Sequence, residues 1–185
     1  MREEFYENSA GPQKEKLHKT LYTIYSVLFV VAVIAFCLFL YLFIMFGDSG
    51  FVFLTIFSLI FGISTYVVRR KILIYYDYTY ISGEIRIVKV INGKFRKKFL
   101  FFDAKDVFIV GKVGSAEFEK LYESSDIKKK MATPNGFSAE KQLYYAGVKI
   151  NGEKNLIIME CQEKFLSYIV SYTGKNIIEK DYGKE

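Results

Sequence analysis

Two uncharged runs constrain this chain more than any other feature. Residues 21–46 hold no acidic or basic side chain, and a second uncharged run covers residues 50–68. As helices they would span about 39 Å and about 28 Å, against about 30 Å of bilayer hydrocarbon. Both lengths suit membrane-crossing helices. The first run is too long for the apolar region of a signal peptide, and no small-residue cleavage site follows it. The link, Gly47-Asp48-Ser49-Gly50, is short enough to force an antiparallel hairpin.

The flanks set an orientation. Lys14, Lys16 and Lys19 precede the first run, Arg69, Arg70 and Lys71 follow the second, and the link carries only Asp48. The excess of cations at both ends predicts cytoplasmic termini and a two-pass protein of the cell membrane. Cys161 is then expected to be a reduced cytosolic thiol, and Cys37 a small apolar residue against lipid or the other helix. In the second run Ser58 and Gly62 stand four apart, with Thr55 and Thr65 nearby. Small residues at that spacing let two helix backbones approach closely. Packing inside the hairpin is favoured over a dimer between two chains.

Composition excludes two classes. Apolar residues make up 51%, including 18 Phe and 15 Tyr, and the net charge is only +6, so the chain is not disordered. Two cysteines cannot staple a fold of 185 residues.

The expected organisation is a cytoplasmic tail over residues 1–19, a membrane hairpin over 20–70, a cytosolic β domain over 72–178 and a short tail over 179–185. From residue 72 the texture is Tyr-, Ile- and Thr-rich, which favours strand. Asn92-Gly93 and Asn151-Gly152 each sit between apolar runs, and both residue types tolerate the positive φ of a two-residue hairpin turn. Residues 94–102 (KFRKKFLFF) and 107–110 add strands, and 143–150 with 155–161 form the second hairpin. Phe165, Ile169 and Tyr172, widened by Leu166 and Val170, mark a closing amphipathic helix with Gly174 as its cap. Residues 111–142 form a long polar insertion with one short helical segment near 116–123. Such insertions are functional or disordered, and the sequence does not choose. The fold class is therefore a two-helix membrane hairpin, then a mainly antiparallel β domain, a curved sheet or small open barrel, capped by a C-terminal helix.

Several segments carry a resemblance. Tyr76-Asp77-Tyr78, Gly83-Glu84-Ile85, Lys89-Val90-Ile91, Arg96-Lys97-Lys98 and the stretch from Tyr172 to Ile177 resemble bacterial pleckstrin-homology-like (PH-like) domain proteins anchored by a helical hairpin. The chain is similar, more narrowly, to an uncharacterised family of Firmicutes, a domain of unknown function. The resemblance covers roughly residues 20–178. It implies a PH-like, partly open barrel closed by the C-terminal helix, and it implies no reaction.

No constellation supports catalysis. Gly47-Asp48-Ser49-Gly50 spells the string around a serine-protease nucleophile, but that chemistry needs a nearby histidine base. The only histidine, His18, precedes the first run. Gly, Asp and Ser are there as turn residues. One His and two distant Cys exclude the usual zinc sets, no phosphate-binding glycine loop is present, and Cys161 has no adjacent His. The expectation is a non-enzyme without cofactor or metal.

The cations remain. Lys94, Arg96 and Lys98 recur at every second position and share one strand face, leaving Phe95, Phe99 and Phe101 for the core. Arg86 and Lys89 belong to the paired strand but point to opposite faces of it. Lys128, Lys129 and Lys130 form a second cluster in the insertion. These residues are candidates for contact with anionic headgroups, where each nearby cation is worth roughly 1 kcal/mol, or with a protein partner. The interleaved phenylalanines do not indicate nucleic acid, because the fold needs them inside. Two readings follow. One is a membrane-anchored PH-like interaction module. The other is a structural or accessory subunit of a larger membrane complex, acting through its helices.

Overall fold

In the computed structural model the described residues are 4–174, 176–179 and 182. They form two units, Lys14–Leu73 and, separately, Met1–Gln13 with Ile74–Glu185.

The first unit is the hairpin. Helix α1 spans Glu15–Phe46 and α2 spans Ser49–Ile72. Both are long and apolar enough to cross a membrane. Gly47 closes α1 in the left-handed conformation (φ 67°), its amide donating to the Phe43 carbonyl at 2.8 Å. Asp48 then caps α2 by accepting from the Gly50 amide at 2.8 Å. The protease-like string is thus a helix stop followed by a helix start. Ser58, Gly62 and Thr65 are the buried residues of α2, and Ala32 is the buried residue of α1. A Cβ on Gly62 would lie 3.6 Å from the Ala32 methyl, so this stripe is where the two backbones approach. His18 donates through Nδ1 to the Ile72 carbonyl at 3.0 Å, tying the open ends of the hairpin.

The second unit holds two four-stranded sheets. The first has order β1-β2-β3-β4 and is antiparallel throughout. Its strands are β1 (Phe5–Ala10), β2 (Ile74–Ile81), β3 (Glu84–Ile91) and β4 (Phe95–Asp103). The second has order β5-β7-β8-β6. Its strands are β5 (Val107–Lys112), β6 (Lys128–Ala132), β7 (Tyr144–Ile150) and β8 (Glu153–Met159), and β6 runs parallel to β8. Asn92 and Gly93 both take positive φ (56° and 65°), as do Asn151 and Gly152 (52° and 82°), so each pair turns a hairpin. The main core lies between the sheets. Tyr78, Ile85, Ile87, Leu100 and Phe102 meet Ala146, Val148, Ile157 and Met159, and Phe165, Leu166 and Ile169 of helix α4 (Glu163–Thr173) close the assembly.

Three expectations are corrected, and one question the sequence left open, the state of the insertion, is answered. First, residues 5–10 are not tail. They pair with β2 in full register, with Tyr6, Asn8 and Ala10 turned inward. The tail reading failed because an edge strand needs only one moderately apolar face. Second, the insertion is folded. It contains α3 (Ala116–Glu123) and β6, and α3 inserts Phe118 against Tyr145, Leu156 and Ile158 on the outer face of the second sheet. Strands β7 and β8 are apolar on both faces, so this second cover is required. Third, Leu100 and Phe102 are the core residues of β4, while Phe95 and Phe101 are exposed. The register shifts at Ile87/Val88, where Ile87 pairs with Leu100 but Val88 pairs with Lys98. Phe99 is the extra residue of this bulge, and it inverts the alternation beyond it. Fourth, Glu179 is not tail: it is buried and bonded, and Ile178 bridges to Val110. Of residues 179–185, only Glu179 and Tyr182 lie within the described set.

Candidate functional site

α3 covers the outer face of the second sheet. Within the β domain, no helix among the described residues packs on that of the first. Cross-strand partners share a face, so the register defines this surface. Arg86 pairs with Phe101, Val88 with Lys98 and Val90 with Arg96. Because of the bulge, Phe101 joins the face that Arg96 and Lys98 occupy. The result is a shallow concavity of about 480 Å³ lined by Arg86, Val88, Arg96, Lys98, Leu100 and Phe101. The Lys98 ammonium lies 4.8 Å from the centre of the Phe101 ring and the Arg86 guanidinium 5.6 Å, so two cations share one aromatic ring.

Carboxylates offset part of this charge. Arg86 pairs with Glu84 at 2.7 Å and Arg96 approaches Asp77 at 3.8 Å. Both pairs are solvent-exposed on the arginine side and weak by that fact. Lys94, Lys97 and Lys98 have no carboxylate partner among the described residues. Lys97 belongs to the opposite face, across from Lys89, which lies over the Tyr76 ring at 5.8 Å. Lys97 is therefore a cation of this region that strict alternation hid. Phe95 and Phe101, assigned to the core from the pattern, are its exposed aromatics.

The register also fixes which end of the sheet this is. Ile74 pairs with Ile91, and Ile91 with Phe95. Ile74 follows α2 after one intervening residue, and Ala10, which pairs with Tyr76, precedes α1 by four. The chain thus enters and leaves the hairpin from the end of the sheet that carries Lys94, Phe95, Arg96 and Lys97. With strands about 4.8 Å apart, Phe95 is two strand spacings, about 10 Å, from Ile74.

The remaining candidates do not join this surface. Lys128, Lys129 and Lys130 form part of β6, at an edge of the second sheet, and strand alternation separates them. Lys128 is paired with Glu153 at 2.7 Å, which holds that carboxyl below its usual range. Lys129 lies on the α3 side, 5.6 Å from the Tyr122 ring centre. Ser58 and Gly62 are buried within the hairpin. Of the flanking cations, Lys14, Lys16, Lys19, Arg70 and Lys71 are exposed, while Arg69 folds over the Phe29, Tyr66 and Tyr22 rings at 5.1, 5.6 and 5.8 Å. No group of three His, Cys, Asp or Glu side chains converges among the described residues. Burial pushes the Cys161 thiol up to about 12.

Neither the curated proteins nor the solved structures gave a match to this chain. A family model described as a bacterial PH-like domain (DUF6106) matches residues 14–179. That range takes in both long apolar helices, strands β2 to β8 and the closing helix, and leaves out β1. The chain belongs to the DUF6106 family of bacterial PH-like domain proteins.

Proposed function

We propose that this protein is a membrane-anchored, non-enzymatic interaction module. Its hairpin spans the cell membrane with both termini on the cytoplasmic side. Its PH-like domain contacts acidic lipid headgroups through Lys94, Arg96, Lys97 and Lys98. The observation that carries this reading is the register that sets these cations at the end of the sheet continuous with α1 and α2. A surface so tethered needs little further binding energy, because the second contact is intramolecular. Cations near an anionic leaflet contribute roughly 1 kcal/mol each, which suffices to bias the domain toward the surface without fixing it there. Positive charge flanking both helices supports the orientation.

The test is hydrogen exchange on the full chain in nanodiscs of phosphatidylcholine or phosphatidylglycerol. Slower exchange over residues 91–98 in the anionic discs is expected. Salt should reverse it, and a Lys94→Glu, Arg96→Glu, Lys98→Glu variant should lack it. Equal exchange in both lipids sinks the headgroup contact and leaves a protein partner as the occupant of this surface.

A further inference from the structure

Phe95 begins β4 one residue after the Asn92-Gly93 turn, with Lys94 between, and it is 65% exposed. A solvated phenylalanine at a hairpin tip is unfavourable in water, and alone it says nothing about a partner. Its surroundings are more specific. Lys94, Arg96, Lys97 and Lys98 are all exposed, and none of the four residues immediately flanking this ring is acidic. Arg96 and Lys98 belong to one face of β4 and Lys97 to the other, so cations flank the ring on both sides of the strand. Behind the ring, Ile91 and Ile74 stand in line across the neighbouring strands and are only half-buried.

A protein-binding face would concentrate its contacts on one side of the strand. An aromatic tip collared by cations on both sides matches a layered partner instead. That partner is anionic at its surface and apolar a few ångströms deeper, which is the structure of a leaflet of acidic phospholipid. The tip also lies at the end of the sheet from which the chain runs into α1 and α2.

We propose that the β3–β4 hairpin tip is a membrane-inserting wedge, in which Phe95 enters the acyl boundary while Lys94, Arg96, Lys97 and Lys98 hold the surrounding phosphates. This rests on the headgroup reading above and adds penetration to it. It also explains why an aromatic residue is kept exposed at this turn.

The chain contains no Trp, so Phe95→Trp in the full-length protein supplies the chain's only indole, whose emission is read after subtracting that of discs holding the unsubstituted protein. The variant is reconstituted in nanodiscs of phosphatidylglycerol or phosphatidylcholine, with or without bromine on the upper acyl carbons. Phe5→Trp is the control, because Phe5 is 59% exposed and pairs with Ile81 at the opposite end of the first sheet. The expected result for Phe95→Trp in anionic discs is blue-shifted emission, protection from acrylamide and loss of most of the intensity to acyl bromine. Phe5→Trp should show none of these. Protection from acrylamide without bromine quenching overturns the wedge but leaves the headgroup contact standing. Neither effect in anionic discs overturns both.

Discussion

The Tyr78 hydroxyl accepts from the Glu160 amide at 3.2 Å and donates to the Ala132 carbonyl. One buried side chain of the first sheet therefore satisfies a backbone group of β6 and one just past the end of β8. Nearby, the Glu160 carboxylate accepts from Thr133 Oγ1 at 2.7 Å and from Asn135 Nδ2 at 2.8 Å. Asn135 in turn holds the Gly11 carbonyl and the Gln13 amide, each at 3.0 Å. The network joins the folded insertion to the segment that leads into α1. Replacing Tyr78 with Phe leaves a buried donor and a buried acceptor unpaired, at a cost of about 1–3 kcal/mol. Denaturant titration of the full chain in detergent, followed by its strand signal, should show that loss with the hairpin helices unaffected.

The Glu179 carboxylate makes a second such tie. It accepts from the Lys112 amide at 2.7 Å, from the Tyr145 hydroxyl at 2.9 Å and from the Ser115 hydroxyl. Gly111 lies directly beneath it, and a Cβ there would fall 2.2 Å from the carboxylate. Gly111→Ala should displace Glu179 and cost about 1–3 kcal/mol, as should Glu179→Ala. Both changes remove the same contact, so the double variant should be less destabilised than the two single losses combined. Additive losses in the same titration would show that Gly111 and Glu179 act independently.

The reach of the sequence followed physical range. The hairpin was legible because charge-free runs of membrane length have few other solutions. The Asn-Gly turns and α4 were legible because their signals are local. The face of β4 was half legible. Lys94, Arg96 and Lys98 follow simple alternation, but Phe101 joins them only through a bulge whose cause lies in the pairing with β3. β1 was not legible, because its partner β2 is separated from it by the whole hairpin. The insertion read as loop because Phe118 is the one fully buried side chain of α3, and one anchor does not make a pattern. The run of Lys128, Lys129 and Lys130 read as a cluster because parallel pairing with β8, which separates them, cannot be seen in the run itself.

β1 changes how a soluble form of the β domain must be made. A fragment starting at Ile74 lacks the strand that covers the β2 edge and loses the packing of Tyr6 on Phe165 and Tyr168. It also loses the Tyr6 hydroxyl bond to Gln162 at 2.8 Å. Joining residues 1–13 to 74–185 by a short Gly-Ser linker in place of the hairpin should restore these contacts, because Ala10 and Tyr76 are register partners. The linked protein is expected to melt cooperatively and remain monomeric. The fragment from Ile74 should melt lower and associate through its exposed edge. Calorimetry and light scattering compare them directly, and equal behaviour would reduce β1 to an ornament of the sheet.

The β domain should be sensitive to alkali. Burial raises the phenol of Tyr78 well above its ordinary value of 10.0, and it likewise raises Tyr76, Tyr80, Tyr144, Tyr145 and Tyr182. Hydrogen bonds to Glu179 and Glu163 add to the effect at Tyr145 and Tyr182. Burial pushes the Cys161 thiol from 9.0 up to about 12. In each case the folded chain keeps a proton that the unfolded chain releases. The contribution to stability is therefore complete below the unfolded values and is lost as pH climbs past about 9 for the thiol and about 10 for the phenols. Each group adds a slope of up to about 1.4 kcal/mol per pH unit over its window. Denaturation midpoints of the linked β domain should be level from pH 7 to about 8.5 and then fall with increasing steepness. Cys161→Ala should delay the onset, and Tyr78→Phe, though less stable at neutral pH, should lose less between pH 10 and 11. A stability curve that stays flat to pH 11 would mean that these hydroxyls ionise as freely in the folded domain as in the unfolded chain.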